Sequence, residues 1–247
     1  MKGLKAGQVP LERALSKLGI ASRTEAREWI LAGRVRVNGM LRKNPGFGVT
    51  PEKAIIELDG KRITRVQSRS FILHKPRGVV TTRTDEKDRP TIFSLVADLH
   101  LHLIAVGRLD WATSGLLILT NDTKLSDWLT NPSNQVQRTY LVSVRGEITE
   151  EKLDHLRKGL VDAGEVLQAD QIILRKSSGK ESHLTVYLSE GKNREIRRMF
   201  DALGHEVIKL KRVAYGGLEL GELPLREYRE LTTDELLKAF PGAPIRA

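Results

Sequence analysis

Three side chains stand out in a sequence otherwise poor in catalytic groups. Asp110 lies in VGRLDWATSGLLILTND (106–122), where a turn of small residues leads into the wholly apolar GLLILT. A carboxylate at a turn just ahead of a buried strand sits at the rim of an apolar cavity, partly stripped of water. Such a placement suits nucleophilic or general-base work, although an ordinary turn aspartate fits the same residues. The second segment is EGKNREIRRMFDALGHEV (190–207). Asn193 is expected to cap a helix whose apolar face is Ile196, Met199, Phe200 and Leu203, with Gly204 as its stop. Arg194 then falls in the first turn, where the helix dipole disfavours a cation by about 0.3–1 kcal/mol. A carboxylate from elsewhere would remove that conflict. Asp110 is the best-placed candidate, and it would stay ionised beside the guanidinium. Arg197 and Arg198 project from the same helix, either towards a phosphate track or as an exposed basic stripe. The third is Tyr140 in QRTYLVSV (137–144), which alternates with Val142 and Val144. It is either a core aromatic or a platform for a base drawn into a pocket.

Other chemistries find no support. There is no phosphate-binding GxxxxGK[ST] loop, no GxGxxG and no GxSxG. The six histidines are dispersed, and His100 with His102 has no acidic third ligand nearby, so no metal site is expected. Cysteine is absent, which removes disulfides, thiolate nucleophiles and Cys-based metal sites together. No apolar run approaches the roughly 20 residues that span a bilayer, and MKGLKAGQVP lacks the apolar core of a secretion signal. A cytoplasmic protein acting without nucleotide, metal or other cofactor is expected.

The elements that must position these groups follow from pattern and charge. The chain has 247 residues, 40% hydrophobic and 29% charged, as in an ordinary globular protein. Its net charge of +10 is unevenly spread. Residues 1–67 hold 14 Lys+Arg against 6 Asp+Glu, while residues 68–247 hold 27 against 25. A basic module facing a polyanion on a nearly neutral body is implied, nucleic acid ahead of an anionic membrane surface. In that module Pro10 opens a helix carrying Leu11, Ala14, Leu15 and Leu18. Ser22 and Glu25 form a capping box for a second helix. RVRVNG (34–39) and IIELDG (55–60) read as strands ending in turns. Arg13 and Lys17, Arg23 and Arg27, and Arg34 and Arg36 pair on one face of each successive element, suited to phosphate-backbone contact. Beyond residue 67, strands are expected at 71–76, 102–106, 115–120, 139–146, 171–176 and 183–190. Helices are expected around 123–129, 150–158 and 194–203. The mixture predicts an α+β fold with a mostly antiparallel sheet.

LERALSKLGIASRTEAREWILAGRVRVNG resembles the small RNA-binding domain named after ribosomal small-subunit protein four. GRLDWATSGLLILTND, RTYLVSV and EGKNREIRRMF, preceded by HKPRGVVTTRTDEKDRPTIFSL (74–95), are similar to the motifs of ribosomal pseudouridine synthases of the RsuA/RluB type, which carry that same small domain ahead of the catalytic one. The resemblance implies two domains, 9–67 binding RNA and 68–240 converting a uridine of ribosomal RNA, large-subunit ahead of small-subunit, to pseudouridine without a cofactor. It implies Asp110 as the essential aspartate, Tyr140 as the active-site tyrosine and Arg194 as the basic partner of the aspartate. Arg108 matches a residue that helps displace the target base, and Leu117 and Ile196 match the uracil pocket. A monomer with structured ribosomal RNA as partner and no membrane contact is implied. Two alternatives stand beside it: a non-catalytic RNA-binding or ribosome-assembly factor, and a metal-dependent nuclease using Asp110 and Asp122.

Overall fold

The computed structural model describes residues 4–64, 66–83 and 85–245, which form two compact units. The first comprises the described residues as far as Arg69, with His100–Ile104 and Asn121–Thr123. It opens with helices α1 (Leu11–Lys17) and α2 (Arg23–Leu31). The capping box at α2 is complete: Glu25 N–H donates to Ser22 Oγ at 3.1 Å, and Ser22 N–H donates to Glu25 Oε2 at 2.8 Å. Four short antiparallel strands follow, in the order 40–41, 35–37, 56–58, 61–62. The Asn38-Gly39 turn joins the first pair with positive φ at both residues, 51° and 79°, as a tight hairpin turn requires. Leu11, Leu15, Ala26, Ile30, Val35 and Ile56 close its core.

The second unit is built on a mixed sheet. Its main strands are β1 (Ser70–Lys75), β2 (Ser114–Thr120), β3 (Arg138–Arg145), β4 (Gln171–Ser177), β5 (Glu181–Leu188), β6 (Val207–Tyr215) and β7 (Tyr228–Leu231). They run in the order β4-β5-β3-β6-β2-β1-β7, and only the central β6–β2 contact among them is parallel. Four helices accompany them: α3 (Thr123–Thr130), α4 (Glu150–Lys158), α5 (Glu195–Ala202) and α6 (Thr233–Ala239). Strands β6 and β7 and helix α6 were not expected. VIKLKRVAY hides its strand alternation under three cations, although Thr232 and Glu235 form a capping box that marks α6.

The sheet buries opposite faces in its two halves. On β4, β5, β3 and β6, residues such as Ile172, Val186, Val142 and Leu210 pack beneath α4 and α5. On β1 and β2, Ile72, Leu116 and Ile118 join a second core with α3 and α6 on the other face. The two halves meet at Gly115, with φ +114°, where a Cβ would lie 2.1 Å from the Arg212 carbonyl oxygen. Only glycine lets β2 approach β6 that closely.

Candidate active site

The turn after Gly107 places Asp110 at the sheet centre. Thr113 N–H donates to the Asp110 carbonyl at 3.2 Å, and Thr113 Oγ1 donates to Asp110 Oδ1 at 2.7 Å. The other carboxylate oxygen accepts from Arg197 Nε at 3.0 Å, while Arg194 Nη1 stands 3.7 Å away. Burial pushes the Asp110 carboxyl up, but the Thr113 hydroxyl, Arg197 and Arg194 together outweigh it and hold the group below the usual aspartate value. The result is a half-buried carboxylate that stays ionised.

Two anchors fix the backbone of this turn. Lys75, fully buried at the end of β1, donates from Nζ to the carbonyls of Pro76 (3.0 Å), Asp110 (3.0 Å) and Thr113 (2.9 Å). Burial lowers its pKa to about 8, with Asp110 opposing the shift and Arg212 adding to it. Thr81 Oγ1 donates to Leu109 O at 2.8 Å and accepts from Leu109 N–H at 3.3 Å. Neither residue was singled out in the sequence. The available signal for Lys75 was a lysine inside the strand expected at 71–76.

Asp110 opens onto a cavity of about 880 Å³ whose walls include Arg108, Tyr140, Leu188, Arg194, Ile196 and Arg197. A hollow of this size holds a nucleotide extruded from its stack. Tyr140, on β3, is half-buried, and Arg108 is exposed at the wall. The structure therefore brings together Asp110, Tyr140, Arg194, Arg108, Ile196 and Arg197. Four expectations need correction. Arg194, not Asn193, precedes α5, in the left-handed conformation at φ 50° and with no side-chain cap bond. Arg197 donates to Asp110 and to the Val207 carbonyl at 3.1 Å, so it belongs to the aspartate and not to a phosphate track. Arg197 lies in the first turn of α5 and Arg194 immediately precedes the helix, and both guanidinia reach the same carboxylate. Arg198 faces away from the cavity wall, with Nε 2.5 Å from Asp162 Oδ2 and Nη1 2.6 Å from Glu165 Oε2. Leu117 is wholly buried within β2 and is absent from the cavity wall. Asp122 is likewise absent from that wall. Among the described residues no group of three or more His, Asp or Glu could hold a metal ion.

Sequence reasoning also missed Arg138. Its buried guanidinium donates to the carbonyls of Ser189 (2.8 Å) and Glu190 (3.1 Å) and to Tyr215 Oη (2.9 Å). It thereby ties the end of β3 to the segment that leads into Arg194.

In the first unit, Arg13, Lys17, Arg23 and Arg36 have no acid within ion-pair distance among the described residues. Arg27 stands 3.9 Å from Glu12. Arg34 is engaged elsewhere: it donates to Asp59 from Nε at 3.0 Å and from Nη2 at 2.5 Å, and lies 5.5 Å from the centre of the Trp29 ring. The predicted pairing on three elements thus leaves Arg34 already neutralised.

Comparison with known proteins places these features. A family model described as RNA pseudouridylate synthase matches residues 69–202, and an S4 domain model matches residues 9–55. The ribosomal large subunit pseudouridine synthase B of Bacillus subtilis (strain 168) is 37% identical over 228 residues, covering 92% of this chain and 93% of that protein. An uncharacterized RNA pseudouridine synthase of Aquifex aeolicus (strain VF5) is 35% identical over 240 residues, covering 97% and 96%. A crystal structure described as pseudouridylate synthase superposes with a TM-score of 0.65 at 28% identity, covering 94% of this chain and 99% of that one.

Proposed function

The chain belongs to the RNA pseudouridylate synthase family, and on that premise we propose that it isomerises a uridine of ribosomal RNA, large-subunit RNA ahead of small-subunit. The observation that carries this reading is Asp110, ionised and half-buried at a nucleotide-sized cavity beside Tyr140. The substrate assignment rests on the Bacillus subtilis relative, whose name specifies the large ribosomal subunit.

The reaction breaks the N-glycosidic bond, turns the uracil and rejoins it to the sugar through carbon 5. Nothing is oxidised and no group leaves, so one carboxylate suffices where a glycoside hydrolase needs two. Asp110 attacks carbon 1′ of the sugar or carbon 6 of the base, or stabilises the cationic sugar. Its fixed ionisation supplies the negative charge without waiting for a proton to leave. Leu188 and Ile196 keep water from the intermediate, so that rejoining outcompetes hydrolysis. Tyr140 stacks on the extruded uracil and takes part in removal of the carbon 5 proton. Arg108 occupies the space the base vacates. Residues 9–67 act as the RNA-docking domain through Arg13, Lys17, Arg23 and Arg36, and residues 68–240 carry the chemistry. The enzyme works as a cytoplasmic monomer without a cofactor.

The test uses the full chain and a large-subunit ribosomal RNA transcript, with pseudouridine mapped by sequencing. Wild type is expected to modify one uridine in the presence of chelator, and Asp110→Asn to bind the transcript but leave it unmodified. A wild type that binds and never modifies would favour the assembly-factor reading, and activity abolished by chelator would favour the nuclease one.

A further inference from the structure

The strands β4, β5, β3 and β6 use their two faces differently. One face lies under α4 and α5 and opens into the catalytic cavity at Tyr140, Leu188 and Leu210. The alternation of side chains turns Ile173, Thr185, Leu141 and Lys211 to the other face in one cross-strand row, and Lys176, His183, Ser143 and Lys209 in the next. That second face is partly open to solvent: Leu141 is 46% exposed and Ile173 36%, while the smaller Thr185 and Ser143 among them are buried. At one end, where β6 bends into Gly216, it deepens into a hollow of about 480 Å³ walled by Thr139, Tyr187, Lys211 and Val213, with Glu219 on its wall.

The charge of this face is one-sided. Lys176, Lys209 and Lys211 have no acidic side chain within ion-pair distance among the described residues. Glu181 faces His183 Nε2 at 3.1 Å, and Glu206 is paired with Arg145. Lys209 and Lys211 stand two residues apart on β6, about 7 Å along the strand, and Lys176 lies three strand spacings away, about 14 Å. Cations at both margins, apolar side chains between them and an aromatic ring beside a nucleotide-sized hollow fit a strand of polyanion with stackable bases. A protein partner would meet unpaired lysines where interface cores exclude them.

We propose that this open face is a second RNA-binding surface, on the side of the sheet opposite the catalytic cavity, and that it takes a single-stranded segment flanking the modified uridine. One base stacks on Tyr187 in the hollow, and Lys211, Lys209 and Lys176 follow the phosphates. The inference rests on the RNA substrate named above.

Full-length Lys209→Glu/Lys211→Glu, Lys209→Ala/Lys211→Ala and Tyr187→Ala variants test it. Binding of a mixed-sequence 12-nucleotide single-stranded RNA is followed by fluorescence anisotropy across salt concentration, and turnover on a large-subunit ribosomal RNA transcript is followed in parallel. The glutamate pair is expected to weaken oligonucleotide binding at least tenfold, and Tyr187→Ala roughly fivefold. The alanine pair should flatten the salt slope by about 1.4, for two lost phosphate contacts at about 0.7 each. KM for the transcript should rise while kcat at saturation holds. Should the glutamate pair fail to fold, the alanine pair and Tyr187→Ala decide. Unchanged affinity and salt slope in those variants would overturn the proposal, and so would a fall in kcat at unchanged KM. A wild type that leaves the transcript unmodified would instead sink the functional reading, while the oligonucleotide measurement still judges this face.

Discussion

Arg197, in the first turn of α5, donates a hydrogen bond from Nε to Oδ2 of Asp110 at 3.0 Å, whereas Arg194, just ahead of the helix, remains 3.7 Å away. The two cations differ in surroundings as well. The Arg197 side chain is 10% exposed and also holds the Val207 carbonyl, while the Arg194 side chain is 54% exposed. Arg197 therefore supplies most of the directional support for the carboxylate, and Arg194 adds a screened charge at the cavity wall.

Arg197→Ala should lower kcat/KM by at least about 100-fold, close to 3 kcal/mol. It should also destabilise the fold by about 2–4 kcal/mol, because it leaves a half-buried anion short of its partner. Arg194→Ala should reduce turnover only about tenfold and leave the melting temperature nearly unchanged. The pH profile separates the two. Asp110 titrates below the usual aspartate value in the native protein, so activity persists as pH falls until that lowered value is crossed. Removing Arg197 moves the acid limb upward. Equal losses in the two variants, with no shift of that limb, would contradict this division.

Lys75 should behave as a positioning residue. Lys75→Met keeps the length of the side chain but removes three hydrogen bonds to carbonyls. With the buried charge relieved at the same time, a net loss of about 2 kcal/mol in stability is expected, together with a lower kcat as the Asp110 turn loosens. The sign of the pH effect is distinctive. Lys75 has a folded value of about 8, below its unfolded value of 10.5, so the unfolded chain binds more protons between those limits. Its contribution to stability thus rises with pH across that window. Denaturant midpoints at pH 7.5 and 10 should show the variant without that rise; an identical pH dependence in both proteins would refute it.

Gly115→Ala tests the junction of the two half-sheets. The added Cβ would meet the Arg212 backbone at 2.1 Å and occupy a φ of +114°, so strands β2 and β6 must separate. A loss above about 3 kcal/mol is expected, measured as a fall in the denaturant midpoint. The neighbouring Leu117→Ala should cost about 2–5 kcal/mol through its cavity without changing KM, since Leu117 is wholly buried and not on the wall of the site.

Much of this was readable in one dimension. The capping box at Ser22 and Glu25, the Asn38-Gly39 turn and the apolar runs of β1, β2, β3 and β5 are local signals, decided by residues a few positions apart. The motifs around Asp110 and Arg194 stood out because each breaks a local rule: a carboxylate before a buried strand, a cation where a helix begins. β6 escaped notice because its lysines and arginines obscured the alternation, and with it went the strand that joins the two halves of the sheet.

The proposal of Asp110 as the chemical centre, a basic module preceding an α+β body and the absence of cysteine therefore came from the sequence alone. Which arginine holds the aspartate, the burial of Lys75 beneath it, the neutralisation of Arg34 by Asp59 and the absence of Leu117 from the cavity wall were decided only by the tertiary structure. Helical spacing offers Arg194 and Arg197 equally to one side. The distance from α5 to a turn 87 residues earlier in the chain selects between them, and no local pattern encodes that distance.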